Sequence, residues 1–227
     1  MEQMPASHRA WAEAFPDCDS GPIAKTGVAY TPISQQRALE LMFLHLSSRP
    51  VPLRQDDFVE GYMSEPRPGA IDSLNIDNQY REVGGELKAA LQTFIAEQAD
   101  WITSQLGHAW RVCSVRPFEL RAREQPGGKH VDGWPLSIRK AFILPAGASR
   151  QGGTTWFKLR DGREVIFEHP DPCLLIFENS AVEHCSVPGR VYRPTIEFDI
   201  VPARHVDPEP VYAGLNGWFP WMPEVWH

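Results

Sequence analysis

Two stretches in the first half of the chain place apolar residues on one helical face. In the first, Ile33, Ala38, Leu41, Met42 and Leu46 recur until Ser47, Ser48 and Pro50 end the run. Thr31 followed by Pro32 reads as an N-cap with proline at the first helical position. The second stretch is the stronger: Leu87, Leu91, Phe94, Ile95, Trp101, Ile102 and Leu106 sit three and four residues apart, opened by Gly84-Gly85 and closed by Gly107. From Trp110 the pattern changes. Short runs rich in Val, Ile, Phe and Leu alternate with Gly/Pro turns at Trp110–Arg123, Leu136–Leu144, Thr154–Leu159, Glu164–Phe167, Cys173–Phe177, Val182–Val187 and Thr195–Val201. Strands this short, with no helical run between them, predict an antiparallel sandwich or barrel.

The fold expected is therefore mostly β with flanking helices, a jelly-roll-type double sheet with the N-terminal helices packed on one sheet. The 227 residues fit one domain. Residues 1–109 form its mainly helical N-terminal part, 110–201 the jelly-roll core, and 202–227 a loop-like tail whose Trp218, Phe219, Trp221 and Trp226 pack back onto the domain. With 17 Gly and 21 Pro the chain is rich in turns, in keeping with short strands.

Composition removes several function classes. A net charge of −7 with no basic run longer than two residues predicts no nucleic-acid partner. No apolar stretch approaches the roughly 20 residues that span a bilayer, so no membrane partner is expected. Residues 1–14 lack the apolar core of a secretory signal. Cys18, Cys113, Cys173 and Cys185 contain no C-x-x-C pair and read as free thiols, consistent with a cytoplasmic location.

Candidate chemistry comes from histidine. A non-haem iron site takes two His and one carboxylate on one face of the metal. On a strand, residues i and i+2 point the same way, so His-x-Asp aims imidazole and carboxylate at one ion. Three such tripeptides occur, so the pattern alone identifies nothing. His169-Pro170-Asp171 lies in a Pro-rich turn, and His205-Val206-Asp207 in the tail. His130-Val131-Asp132 follows a long strand within a Gly-rich loop, and His184 stands 52 residues after Asp132 in an expected strand, with Arg193-Pro194-Thr195 beginning nine residues later.

His-x-Asp, then Gly152-Gly153-Thr154-Thr155 before Trp156, the apolar strand from Cys173, a distal His and Arg-x-Thr together resemble the Fe(II)/2-oxoglutarate-dependent oxygenases, most closely their prolyl-hydroxylase-like branch. The resemblance spans residues 112–201 and implies a double-stranded β-helix of the jelly-roll, cupin-like kind. It implies that His130, Asp132 and His184 bind Fe(II), and that 2-oxoglutarate is bound by Arg193, Thr195 and Thr155. Arg190 competes with Arg193 for the same role. Consumption of O2 with release of succinate and CO2, coupled to hydroxylation of a C–H bond, is the implied activity. The retained Asp132 argues against the halogenating relatives. Arg139 is either, by similarity to aspartyl/asparaginyl-hydroxylase-like relatives, a candidate for a substrate carboxylate or an ordinary strand-edge charge. Lys140 and Phe142 compete with it for a position where many relatives carry Tyr or Lys.

Trp134 is expected at the pocket rim, and Arg121 with Arg123 either at its mouth or on a solvated strand face. A small-molecule or amino-acid-type substrate is expected, because no extra recognition module is present. Three readings compete with this one: a cupin-like metalloenzyme without 2-oxoglutarate, a peptidyl hydroxylase, and a non-catalytic jelly-roll binding protein.

Overall fold

The structure, a computed structural model, describes residues 23–50, 79–120, 128–132, 139–187, 189–191, 193–203 and 226. In these, a short α1 (Ile23–Thr26) leads into β1 (Val28–Pro32), followed by α2 (Gln35–Ser47), β2 (Gln79–Tyr80) and α3 (Gly85–Leu106). Seven strands follow: β3 (Trp110–Leu120), β4 (Arg139–Leu144), β5 (Thr154–Lys158), β6 (Glu164–Phe167), β7 (Cys173–Phe177), β8 (Glu183–Val187) and β9 (Arg193–Pro202).

All pairings are antiparallel and build two sheets. The larger runs β1-β7-β4-β9-β3-β2 and the smaller β6-β5-β8. The larger sheet is apolar on its outer face, where Val112, Ala141, Ile143, Leu174, Ile176, Ile196, Phe198 and Ile200 share one core with Leu41 of α2 and Leu91, Phe94, Ile95 and Ile102 of α3. A second cluster fills the space between the sheets, with Phe157 of β5 against Phe177 of β7 at 5.1 Å between ring centroids. Because side chains alternate along a strand, the rest of β9 (Arg193, Thr195, Glu197, Asp199) faces inward with Lys140 of β4 and Cys173 of β7.

The first half differs from its sequence reading in three respects. Thr31 and Pro32 do not start a helix; they end β1, which pairs with β7. The cap is Ser34, whose hydroxyl accepts from the Arg37 amide at 3.2 Å. Starting the helix there turns Ala38, Leu41 and His45 inward and leaves Leu46 45% exposed. The mainly helical part also supplies two strands, since β1 and β2 form the edges of the larger sheet. By contrast, α3 opens after Gly84 and closes at Gly107, whose φ of 74° is a left-handed C-cap. In the tail, Trp226 forms a two-bond backbone bridge to Trp110 and stacks on its ring at 6.0 Å; Trp218, Phe219 and Trp221 lie outside the described residues.

Candidate metal centre

His184 occupies the second position of β8, facing inward. Its neighbour across the ladder is Phe157, and the Phe177 ring meets its imidazole edge-on at 4.8 Å. His130 is held opposite by a local antiparallel bridge: His130 N–H donates to the His184 carbonyl at 3.0 Å and receives the reverse bond at 2.8 Å. Asp132, two residues on, donates its amide to the Asn179 carbonyl at 2.7 Å. Backbone pairing thus fixes all three residues before any side chain is considered.

Among the described residues, His130, Asp132 and His184 are the group whose ligand atoms converge, all within 4.8 Å of one another. His130 Nε2 lies 3.5 Å from Asp132 Oδ1, and His184 Nε2 lies 3.8 Å from Oδ2. Each imidazole is oriented from behind. His130 Nδ1 is 2.7 Å from the Gly128 carbonyl, and His184 Nδ1 is 2.9 Å from that of Val182. A carbonyl accepts only, so each Nδ1 carries the proton and each Nε2 lone pair points at the shared space.

Electrostatics agree with that assignment for His184. Burial pushes the His184 imidazole down to about 4, against the pull of Asp132, so it is neutral and ready to ligate at neutral pH. His130, more exposed, is raised chiefly by its hydrogen bond to Asp132. Burial works to raise the Asp132 carboxyl, but the Lys140 ammonium and the two imidazoles together hold it well below the usual carboxylate range. Lys140 Nζ lies 2.6 Å from Asp132 Oδ2, and Asn179 Nδ2 donates to the same oxygen at 3.2 Å.

Further along the interior stands Arg193, 5% exposed, donating from Nη1 to the Gly153 carbonyl at 2.8 Å. Its Nε and the Thr195 hydroxyl are buried with no hydrogen-bond partner among the described residues. Burial draws the guanidinium down to about 10, which leaves it charged at neutral pH. The turn that receives it is tight. Gly153 has a φ of 89°, and a Cβ on Gly189 would stand 2.2 Å from the Gly153 nitrogen. The glycines of Gly152-Gly153-Thr154-Thr155 therefore serve backbone approach as well as turn geometry. Thr155 pairs with Ser186 in the β5–β8 ladder, on the face that carries Phe157 and His184.

The structure thus brings together His130, Asp132, His184, Arg193, Thr195 and Thr155 on the inner walls. Arg190 is exposed in the turn before β9. Arg139 is 2% exposed and, by strand parity, shares the face of Ala141 and Ile143; it pairs with Glu178 at 2.5 Å. His169 packs on Tyr30, apart from this group. Trp134, Arg121 and His205 lie outside the described residues.

Asn179, Arg116, Glu197 and Asp199, and the contact of Lys140 with Asp132, emerge from the structure. Arg116 is buried and holds Glu197 and, at 2.7 Å, Asp199. The signal for Glu197 and Asp199 was present in β9. Arg-Pro-Thr-Ile-Glu-Phe-Asp-Ile alternates polar and apolar residues in a strand whose two faces are both covered, which demands a polar interior. Nothing in the sequence marks Asn179, which sits in the turn after β7.

No protein-family model and no curated protein matches the sequence. Solved structures do match by fold. The epimerase SnoN from nogalamycin biosynthesis, in complex with Fe3+, alpha ketoglutarate and nogalamycin RO, superposes with a TM-score of 0.58 at 12% identity, over 86% of this chain and 85% of its own. A Pseudomonas putida prolyl-4-hydroxylase gives 0.55 at 16% identity, over 79% and 95%. A Trichoplax adhaerens prolyl hydroxylase, in complex with a hypoxia inducible factor oxygen degradation domain peptide fragment, gives 0.57 at 13%, over 87% and 94%.

Proposed function

We propose that a protein with this fold and this interior is an Fe(II)- and 2-oxoglutarate-dependent dioxygenase that hydroxylates a C–H bond of a small-molecule or amino-acid-type substrate. The observation that carries the reading is Arg193. A buried guanidinium whose Nε has no hydrogen-bond partner among the described residues, beside a buried hydroxyl also without one there, suits a carboxylate from outside the chain. A cupin-like enzyme without 2-oxoglutarate has no use for such a group.

The residues fit both components. Two imidazoles presenting Nε2 lone pairs and one ionised carboxylate form the donor set of a facial triad. Arg193 and Thr195 suit the distal carboxylate of 2-oxoglutarate, and Thr155 lines the wall of the smaller sheet between them and His184. When bound, iron(II) with 2-oxoglutarate and O2 supplies the oxidising chemistry, with release of succinate and CO2. The protein's part is position and exclusion of water. Phe157 and Phe177 wall one side of His184, and the two backbone carbonyls keep the imidazoles in the ligating tautomer. A peptidyl substrate is the second reading, favoured by the fold shared with the peptide-bound T. adhaerens hydroxylase.

The test is anaerobic titration of the purified protein with Fe(II) and 2-oxoglutarate, watching the weak metal-to-ligand charge-transfer band in the visible. The band is expected in wild type and absent in His184→Ala. In Arg193→Ala its half-saturation should rise by about 30-fold or more, the consequence of removing one side of a buried charge pair. A folded, metal-loaded wild type without the band rules out the cosubstrate.

A further inference from the structure

Lys140 is the first residue of interest beyond the triad. It lies on the inner face of β4, directly across the ladder from Asp199. Its ammonium sits 2.6 Å from Asp132 Oδ2 and 3.3 Å from Glu197 Oε1. Glu197 in turn is held by Arg116, which also binds Asp199 at 2.7 Å. The result is a row of alternating charges, Asp132–Lys140–Glu197–Arg116–Asp199, across three strands inside the molecule. Nearby, around Phe142, Leu175 and Phe177, the same interior is filled with apolar side chains. Burying charges carries a large desolvation cost, and apolar filling was available to a barrel that needed only a core.

The row ends on one specific atom. Asp132 Oδ2 takes both Lys140 and, at 3.2 Å, Asn179. Oδ1 faces His130 Nε2. His184 Nε2, at 3.8 Å from Oδ2, is too far to hydrogen-bond it.

We propose that Lys140 is a positioning residue that keeps Asp132 a one-oxygen metal ligand, and that Glu197 and Arg116 hold the ammonium in place. The importance of this rests on the function proposed above. A facial triad leaves the remaining positions of an octahedral ion open; 2-oxoglutarate takes two of them and O2 needs another. A carboxylate free to chelate through both oxygens closes one. Lys140 and Asn179 saturate Oδ2 and so keep that position open. The ammonium also repels a cation, so the arrangement gives up some metal affinity for an open coordination sphere.

Water-proton relaxation by bound Mn(II), an ion suited to this donor set, counts the exchangeable waters on the metal without any turnover. The comparison is wild type, Lys140→Met, Lys140→Arg and Glu197→Gln, each with and without 2-oxoglutarate. Lys140→Met is expected to bind Mn(II) as tightly as wild type or more so. Its relaxivity should fall by about a third as one of three open positions closes, and its 2-oxoglutarate affinity should drop about 10-fold or more, an outer-shell effect. Lys140→Arg should recover most of the relaxivity. Glu197→Gln, which keeps shape and leaves the ammonium with one anchor, should shift it part of the way and covers the case in which Lys140→Met does not fold. Wild-type relaxivity in Lys140→Met, or in Glu197→Gln where the first variant fails to fold, overturns the proposal. If 2-oxoglutarate leaves the wild-type signal unchanged, the cosubstrate reading fails, while the metal-only comparison still decides the role of Lys140.

Discussion

His45 shows at the scale of one residue how position overrides side-chain character. It is fully buried on the inner face of α2, and burial, aided by the nearby Arg81 charge, pushes it down to about 4. The folded state therefore refuses a proton that the unfolded chain takes up below its ordinary value of 6.5. Its contribution to stability is intact above that value and is lost as pH falls toward 4, at about 1.4 kcal/mol per pH unit. Thermal melts of the metal-free protein should show the midpoint falling across this window, and His45→Leu should flatten the fall. An unchanged pH profile in the variant assigns the acid sensitivity elsewhere. His184 obeys the same physics to a different effect, since the burial that keeps it neutral also leaves its Nε2 lone pair free to ligate.

At the scale of elements, the turn before β9 and the turn before β5 act as one device. Gly189 packs against the backbone of Gly152 and Gly153, and Gly153 supplies the carbonyl that Arg193 holds. A methyl group at 189 meets backbone atoms that cannot swing aside. Gly189→Ala is expected to lower stability by about 1–3 kcal/mol, read from urea denaturation. It should also weaken 2-oxoglutarate binding while leaving Mn(II) affinity near wild type. Strand β9 carries the same logic along its length. Pro194 is accommodated because β4 pairs with β9 only from Ile196 onward, so the missing amide costs no bond to that strand.

Across the whole molecule, the sheet is tied to its surroundings by a buried ionic knot on the face opposite the candidate metal centre. Glu178 is fully buried and meets Arg139 at 2.5 Å and Arg160 at 2.5 Å, while Arg160 also reaches the Ala24 carbonyl of α1 at 2.6 Å. Glu178→Ala removes the counter-charge shared by the buried Arg139 and the half-buried Arg160 and should cost about 3–5 kcal/mol, seen as a lower denaturation midpoint. Arg139→Met separates two roles for that arginine. A structural role lowers the midpoint and leaves the Michaelis constant for the proposed reaction unchanged, whereas a substrate role raises the constant at constant stability.

Sequence periodicity alone determined the β-rich second half and α3, because alternation and glycine caps are local properties read residue by residue. The order His130-x-Asp132, His184, Arg193-x-Thr195 was equally legible, since strand parity turns spacing into direction. Other features depended on contacts between distant segments. The start of α2 at Ser34, and the use of Thr31 and Pro32 in β1, follow from the hydrogen bonds that β7 offers. Arg139 and Lys140 are neighbours in sequence with similar charge, yet parity and packing send one to Glu178 and the other to Asp132. That the Lys140 ammonium meets one oxygen of Asp132 was decided by the pairing of β4 with β9 and by the loop that carries Asp132. Residue types set which charges the interior had to accommodate, and tertiary structure decided which of them would meet.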